Sequence, residues 1–204
     1  MPSGWVNERK REFYYRKAKA ENYRSRASYK LLQAVKKYKF IKPGYTVVDL
    51  GAAPGGWTQA ALTIIEDTGF VLAVDIKEMS PFDAPNAAAI KGDISEQQTV
   101  QEIQKLLPRP ADVVISDISP NVSGIWELDH ARQIDLADHS LQIAKFVLRQ
   151  GGNFFVKAFQ GRTTNKFVND VRKQFGFVKL VKPRASRSKS AEIYVLGMNF
   201  RPKH

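Results

Sequence analysis

Apolar residues change their spacing along this chain, and the changes predict alternating helices and strands. From Ser25 to Tyr38 they recur at helical spacing, and a turn at Pro43–Gly44 separates this helix from a short buried strand at Thr46–Leu50. Later apolar runs predict strands at Phe70–Asp75, Ala88–Ile90, Asp112–Ser116, Gly152–Phe159, Phe177–Val181 and Glu192–Leu196. Amphipathic stretches between them predict helices at Trp57–Glu66, Ser95–Leu107, Asp129–Arg149 and Thr164–Phe175.

This alternation predicts an α/β fold. Strands that alternate with helices form a mostly parallel sheet with helices on both faces. We expect residues 23–204 to form one domain, preceded by a basic extension or exposed helix at 1–22. Ligands of such sheets bind beyond the carboxyl ends of the strands, so the candidate chemistry is expected there.

The composition is that of an ordinary globular protein of 204 residues. No apolar run reaches the roughly 18 residues that a membrane span needs. The segment Met1–Lys19 is charged and aromatic, without the apolar core of a signal peptide. The sequence therefore predicts a cytoplasmic protein with no membrane partner.

The charge balance is strongly basic and predicts a polyanionic partner. Lys and Arg number 32 against 20 Asp and Glu, which gives a net charge of +12 and a pI near 9.9. The charge is clustered in Arg9–Arg26, where aromatic residues are interleaved, and again in Lys179–Lys189. Cations among aromatic rings suit phosphate contact with base stacking, so we expect the partner to be a nucleic acid.

The chain contains no cysteine. Disulfides, thiolate metal sites and a cysteine nucleophile are therefore excluded. The three histidines, His130, His139 and His204, lack the spacing of metal ligands. We expect no bound metal ion.

A glycine-rich turn follows the first predicted strand. Asp49–Trp57 reads DLGAAPGGW, in which glycines let the backbone approach a ligand closely. The spacing is neither that of a dinucleotide fingerprint nor that of a phosphate-binding loop. A tight turn without any ligand explains the glycines equally well.

Acidic residues after three successive strands favour a ligand. Asp75 ends the second strand, where its carboxylate could accept hydrogen bonds from both ribose hydroxyls of a nucleoside. Asp93 follows the third strand and could take the amine of adenine, although a helix cap is an alternative role. Asp117 follows the fourth strand. An adenosine pocket without phosphate contacts suits S-adenosylmethionine, which carries a sulfonium cation.

Four charged residues complete the set of candidates: Lys30, Asp117, Lys157 and Glu192. Lys157 lies within the apolar strand FFVKAF, where burial is costly unless the amine is paired or functional. Taken singly, Lys30 and Glu192 would be ordinary solvated charges.

Together these segments resemble the FtsJ/RrmJ family of RNA 2′-O-ribose methyltransferases, over about Tyr23 to Leu196. The resemblance rests on Ser25-Arg26-Ala27 with Lys30, Val47–Trp57, Asp117 with Pro120-Asn121 and Ser123-Gly124, Val156-Lys157 with Phe159-Gln160-Gly161, and the terminal positions Lys182-Pro183, Ser186-Arg187, Ser190 and Glu192–Tyr194. It implies the methyltransferase variant of the doubly wound sheet, with seven strands and the last antiparallel. The implied catalytic residues are Lys30, Asp117, Lys157 and Glu192, and the implied cofactor residues are Gly55, Trp57, Asp75, Asp93 and Asp117.

The resemblance also implies the reaction and its substrate. We expect methyl transfer from S-adenosylmethionine to a ribose 2′-hydroxyl, that of a uridine of large-subunit ribosomal RNA, by a monomer. A tRNA anticodon-loop enzyme is the main alternative, and a non-catalytic ribosome-assembly factor is a weaker one. Asp117–Pro120 reads DISP where bacterial rRNA members have DMAP, and residues 1–22 show little similarity to theirs. Both departures bear on which RNA is chosen.

The role of Lys157 in the reaction stays open between two hypotheses. As a general base it would need a lowered pKa, which burial and Lys30 favour and the two carboxylates oppose. As a protonated amine it would stabilise the developing oxyanion.

Overall fold

The computed structural model describes residues 3–187 and 190–202, with side chains from residue 12 onward. The helices are α1 Ser3–Ala20, α2 Ser28–Tyr38, α3 Gly56–Ile65, α4 Gln97–Leu106, α5 Trp126–Val147 and α6 Thr164–Gln174. The strands are β1 Thr46–Leu50, β2 Phe70–Asp75, β3 Ala87–Lys91, β4 Ala111–Ser116, β5 Leu148–Phe159, β6 Phe175–Val181 and β7 Glu192–Phe200. Parts of the predicted basic runs, namely the side chains of residues 9–11 and Lys189, lie outside the described residues, as does His204.

The strands form one seven-stranded sheet in the order β3-β2-β1-β4-β5-β7-β6. β7 is antiparallel to both of its neighbours, whereas the pairs among β1 to β5 are parallel. The predicted fold class, a mostly parallel sheet with an antiparallel last strand, is confirmed.

The two faces of the sheet bury different helices. On β1, Val47 packs into the cluster beneath α2 and α3, whereas Val48 packs into the cluster beneath α4, α5 and α6. Successive side chains of a strand point to opposite faces, so strands covered on both sides are apolar at nearly every position. β1 and β4 are accordingly buried throughout.

Helix α1 packs at its carboxyl-terminal end against α2. Ala18 is buried together with Tyr29, and the ring of Tyr14 lies 5.4 Å from that of Tyr29. The prediction that residues 1–22 act as an extension separate from a domain at 23–204 stays a prediction. None of the described helices combines the length and the apolarity needed to cross a bilayer.

The boundary between α5 and β5 differs from the prediction. The helix was expected to reach Arg149, but it ends at Val147 and the strand begins at Leu148 rather than at Gly152. Leu148 pairs with Ala111 on β4, and Arg149 Nε donates to Asp112 Oδ1 over 2.6 Å. This ion pair holds the segment against the sheet, and Gly151, with φ of +77°, lets the strand resume after an irregularity in register.

Candidate active site

The carboxyl edge of the sheet collects the charged candidates because of strand alternation and register. Phe155 is buried on the face beneath α2 and α3, so Lys157, two residues further along β5, lies on the same face. Antiparallel pairing sets Lys157 opposite Tyr194 and Phe159 opposite Glu192. The first residue of β7 is thereby brought to the edge where β5 ends.

Lys30 reaches this edge from the first turn of α2. Its Nζ atom lies 2.8 Å from Oε2 of Glu192, a residue 162 positions later in the chain. Both side chains are nearly buried, at 11% and 13% exposed. The contact is therefore a shielded ion pair rather than a surface one.

Lys157 has a different set of partners. Its Nζ atom lies 2.8 Å from Asp117 Oδ1, and it also donates to the Asp117 carbonyl and to Ser119 Oγ, each over 2.8 Å. The side chain is only 6% exposed. Three acceptors therefore surround the amine at hydrogen-bonding distance.

Two longer contacts close these pairs into one group. Lys30 Nζ lies 3.8 Å from Asp117 Oδ1, and Lys157 Nζ lies 3.6 Å from Glu192 Oε2. Each amine thus contacts both carboxylates, and the formal charges balance. We call Lys30, Asp117, Lys157 and Glu192 the charged quartet; the structure brings all four predicted residues together.

Burial and charge act in opposite directions on the acids of this site. Burial raises the pKa of Glu192, but the neighbouring Lys30 and Lys157 and hydrogen bonds from Lys30 and Ser186 outweigh it, so the pKa lies below its ordinary value. Tyr194 is fully buried, and burial together with Asp117 and Glu192 raises the pKa of its hydroxyl well above 10. Tyr194 therefore stays a neutral donor, and its hydroxyl donates to Asp117 Oδ1 over 2.5 Å.

Three residues that support the quartet were not among the predicted site residues. Ser119 accepts from Lys157, Ser186 donates to Glu192 Oε1 over 2.8 Å, and Tyr194 donates to Asp117. Tyr194 could have been found, because it lies two residues after Glu192 on a strand and must share its face. Ser186 belongs to a segment that carries the family resemblance, but nothing in the sequence assigns its hydroxyl to Glu192, and no sequence signal separates Ser119 from an ordinary loop serine.

A pocket of about 410 Å³ adjoins the quartet along the same edge, within the size range of small-molecule sites. It is lined by Gly51, Ala53, Asp75, Ile76, Lys77, Gly92, Asp93, Ile94, Asp117, Ile118, Ser119, Pro120, Asn121 and Leu136. Asp117 and Ser119 therefore belong to both the pocket and the immediate surroundings of Lys157.

Asp75 is fixed by the backbone around it. Its Oδ2 atom accepts from the Ala53 amide over 2.9 Å, and its Oδ1 atom accepts from the Lys77 amide over 2.8 Å. The carboxylate thus ties the glycine-rich turn to the end of β2. Each oxygen still has a lone pair that could accept from a ribose hydroxyl.

Asp93 combines the two roles considered for it. Its Oδ1 atom accepts from both the amide and the hydroxyl of Ser95, in the turn that leads into α4. These bonds lower the pKa of Asp93 and keep it charged. The residue also lines the pocket, so its turn-forming role does not remove it from the ligand site.

Glycine is required at two positions of the turn for different structural reasons. A Cβ on Gly51 would lie 2.0 Å from Ile118 Cγ1, so only glycine admits Ile118 into the pocket wall. Gly55 has φ of +107° immediately before α3, a conformation that other residues rarely adopt. Glycine is therefore required here with or without a ligand, and Gly51 also shapes the pocket.

Trp57 lies in the core, apart from the pocket lining. Its ring is stacked 5.7 Å from that of Phe155, and its Nε1 atom donates to the Ala27 carbonyl over 2.8 Å. Neither Gly55 nor Trp57 lines the pocket. Their predicted contact with the cofactor stays a prediction, and for Trp57 only the backbone is available to make it.

The chemistry of the pocket fits S-adenosylmethionine. Three carboxylates and one lysine line it, so it favours a ligand with net positive charge over a polyphosphate. Ile76, Ile94, Ile118 and Leu136 supply apolar walls suited to a purine ring. Among the described side chains, those of residues 12–187 and 190–202, no group of three His, Asp or Glu is arranged to hold a metal ion.

The sheet order, its antiparallel β7 and the acidic pocket at its carboxyl edge define an S-adenosylmethionine-dependent methyltransferase. The sequence model of the FtsJ-like methyltransferase family matches residues 23–200. The chain therefore belongs to the FtsJ-like methyltransferase family.

Archaeal relatives match almost the whole chain. It is 49% identical over 202 residues to ribosomal RNA large subunit methyltransferase E of Methanocaldococcus jannaschii, covering 98% of this chain and 82% of that protein. It is also 49% identical to the protein of the same name from Methanothermobacter thermautotrophicus, covering 100% of this chain and 96% of the relative.

Solved structures support the same fold. A Plasmodium falciparum protein provisionally assigned as a ribosomal RNA methyltransferase superposes with a TM-score of 0.76 at 28% identity, covering 89% of this chain and 100% of the other. Aeropyrum pernix fibrillarin, solved with S-adenosyl-L-methionine bound, superposes with a TM-score of 0.60 at 18% identity. That match covers 86% of this chain and 75% of fibrillarin, and it bears on the fold alone.

Proposed function

We propose that this protein transfers the methyl group of S-adenosylmethionine to a ribose 2′-hydroxyl of RNA, with large-subunit ribosomal RNA as substrate. One observation carries the proposal: Asp117 belongs both to the acidic pocket and to the charged quartet. A methyl donor in the pocket would therefore lie beside two amines that can stabilise an attacking oxygen.

The choice of RNA rests on charge and on the relatives. The net charge of +12 favours a polyanion. The archaeal relatives that share nearly half of the sequence are named as methyltransferases of large-subunit rRNA. Both observations favour large-subunit rRNA over a small hydroxylated metabolite.

The reaction has simple atomic requirements. When bound, S-adenosylmethionine supplies an electrophilic methyl group on a sulfonium sulfur. The ribose oxygen forms a bond to that carbon as the carbon–sulfur bond breaks, and the hydroxyl proton must leave. The protein therefore has to align the hydroxyl, stabilise negative charge on it and provide a route for the proton.

The hydrogen bonds of Lys157 match the donors of an ammonium group. An ammonium has three protons, and the amine has three acceptors at 2.8 Å: the carboxylate and carbonyl of Asp117, and Ser119 Oγ. We therefore propose that Lys157 and Lys30 act as cations that stabilise the developing oxyanion. Glu192 and Asp117 hold the two amines in place, and in this version the hydroxyl proton is lost to solvent water as the oxygen–carbon bond forms.

The general-base version makes a different prediction for the dependence of rate on pH. A base must lose its proton, so the rate of the chemical step would rise with pH along a limb that disappears in Lys157→Met. A cationic stabiliser instead predicts that the wild-type rate falls once the pH passes the pKa of the amine. Single-turnover rates of both proteins across the pH range would decide between the versions.

The substrate is tested by direct comparison of RNAs. We expect radiolabelled methyl groups to be transferred to purified large ribosomal subunits, or to their free rRNA, and to resist alkali as 2′-O-methylated dinucleotides. Transfer to tRNA alone would support the anticodon-loop alternative. Absence of transfer to all three would contradict the proposed function.

The setting of the reaction follows from its proposed substrate. Acting on ribosomal RNA, the protein is expected to work in the cytoplasm. The quartet and the pocket are complete within one chain, which supports a monomeric enzyme. Light scattering during gel filtration would measure the mass in solution.

A further inference from the structure

A basic groove lies between α2 and the segment that runs from β6 to Arg184. It has a volume of about 740 Å³ and is lined by five basic side chains, Lys36, Lys37, Lys179, Lys182 and Arg184. Its described lining contains no aspartate or glutamate. The groove therefore carries a concentrated positive charge on a surface outside the cofactor pocket.

One face of α2 connects the quartet to the groove. Lys30, Gln33 and Lys37 are three and four residues apart, which places them in line along one side of a helix. Lys30 lies within the quartet, Gln33 is half-buried, and Lys37 is exposed. From Lys30 to Lys37 the helix rises about 10 Å, roughly the length of three stacked nucleotides.

Hydrogen bonds connect Gln33, which lines the groove, to the segment that holds Glu192. Gln33 donates to the Tyr14 hydroxyl over 2.8 Å and accepts from the Ala185 amide over 3.0 Å. The next residue, Ser186, donates to Glu192 Oε1. Gln33 and the adjacent residues Ala185 and Ser186 therefore link the groove to the active site through a continuous set of contacts.

We propose that this groove binds the single-stranded RNA segment that flanks the methylated nucleotide. The inference rests on the proposed function and extends it by naming the path of the substrate. Exposed lysines and an arginine suit successive phosphates, while the half-buried rings of Tyr14 and Tyr38 suit unpaired bases. A single strand also allows the target ribose to turn into the quartet.

The test compares two matched pairs of charge reversals. Lys36→Glu/Lys37→Glu changes the groove, and Lys105→Glu/Lys145→Glu changes the opposite face of the sheet. All four lysines lie in the last turn of a helix, so both pairs alter the same charge and the same interaction with the helix dipole. Affinity is read from the anisotropy of a fluorescein-labelled single-stranded RNA of mixed sequence at about 0.15 M salt.

We expect the groove pair to lose at least tenfold in RNA affinity and the control pair to change less than threefold. Replacing the two groove lysines by alanine should lower the slope of log affinity against log salt by about 1.4, the value for two phosphate contacts on a single strand. Affinity for S-adenosylmethionine should be unchanged in all variants. Unchanged cofactor binding would also establish that each variant is folded.

Several outcomes would overturn the groove assignment. They are equal losses in both pairs, retention of affinity by the groove pair, or losses seen with a blunt RNA duplex but not with the single strand. Because binding is measured without methyl transfer, this result is independent of turnover. Failure of the unchanged protein to methylate any RNA would instead overturn the proposed function.

Discussion

The two halves of the active edge hold their carboxylates in different ways. In the pocket, the oxygens of Asp75 accept from the backbone amides of Ala53 and Lys77. In the quartet, Glu192 is held by the ammonium of Lys30, contributed by a helix far away in the chain. Local turns therefore build the binding half, whereas contacts between distant elements build the half proposed to perform the chemistry.

Substitutions in the two halves should therefore affect different quantities. Changes in the pocket should lower cofactor affinity, and changes in the quartet should lower the methyl-transfer rate. The carboxylate of Asp75 lines the pocket, so its removal should cost affinity for S-adenosylmethionine. Removing one member of a buried ion pair leaves its partner uncompensated, so a quartet substitution should disturb the whole group. The predictions below test that separation, from the largest expected effect to the smallest.

The strongest test is Lys157→Ala. It removes a cation beside the proposed oxyanion, and we expect the methyl-transfer rate to fall at least a thousandfold while affinity for S-adenosylmethionine changes less than threefold. Single-turnover kinetics and calorimetric titration would measure the two quantities. Lys105→Ala, at an exposed position of α4, is the matched control and should leave both unchanged.

Asp49 is a buried carboxylate without an ammonium partner in the described part of the chain, and the effect of pH on protein stability tests how it differs from Glu192. Asp49 accepts from Thr58 over 2.7 Å, and its other oxygen has no hydrogen bond among the described residues. Burial raises its pKa to about 7, aided by Asp117 and Asp75 and opposed by Thr58. Glu192, which has two amines beside it, moves in the opposite direction.

The consequence for Asp49 is a stability that falls as pH rises. The folded protein keeps the proton that the unfolded chain releases above its pKa of about 4, so stability is lost between about pH 4 and pH 7 and is constant above. Asp49→Asn should therefore be close to wild type at pH 4 and more stable at pH 8, by at most about 4 kcal/mol. Chemical denaturation at both pH values measures this, and a difference independent of pH would contradict the assignment.

In the pocket half, Asp75→Ala should weaken S-adenosylmethionine binding about a hundredfold. The expected loss corresponds to one or two hydrogen bonds to a charged group. The rate at saturating cofactor should fall less than tenfold, the reverse of Lys157→Ala. Asp83→Ala, at an exposed position of the following segment, is the control, and equal affinity losses in Asp75→Ala and Lys157→Ala would remove the division between the halves.

The smallest expected effect belongs to Tyr194→Phe. The substitution keeps the buried ring but removes the hydrogen bond to Asp117, so we expect a rate reduction of about threefold to tenfold with unchanged cofactor affinity. Tyr45→Phe, a half-buried tyrosine away from the quartet, should not change the rate. A loss as large as that of Lys157→Ala would show that Tyr194 does more than position Asp117.

Much of the arrangement could be predicted from the sequence because strand order and side-chain alternation determine it. The convergence of Lys157 and Glu192 follows from two strands that meet at one edge in antiparallel register. The supporting serines could not be predicted, because Ser119 and Ser186 lie in loops whose paths depend on tertiary packing. Lys36 and Lys37 were also missed as part of a basic surface, because only the fold brings them beside Lys179 and Arg184.

Some of the predicted cofactor residues could be placed from the sequence and others could not, for a similar reason. Asp75 and Asp93 could be placed because Asp75 ends β2 and Asp93 comes two residues after β3, and both line the pocket. The side chain of Trp57 could not be assigned to ligand or core from its position alone, since α3 presents one side to the turn and another to the sheet. Its stacking on Phe155 places the ring in the interior.

The reversed direction of β7 has a consequence for how such proteins can diversify. Because this strand starts at the active edge, the segment that precedes Glu192 is a connection whose sequence is not constrained by the ladder of the sheet. Exchanges in that connection at positions other than Ser186 can reshape the entrance presented to a nucleic acid, while the pairing of β5 with β7 and the hydrogen bond from Ser186 keep the glutamate in place. New RNA targets can therefore be acquired through changes in this connection, while Glu192, a few residues away, keeps its place in the active site.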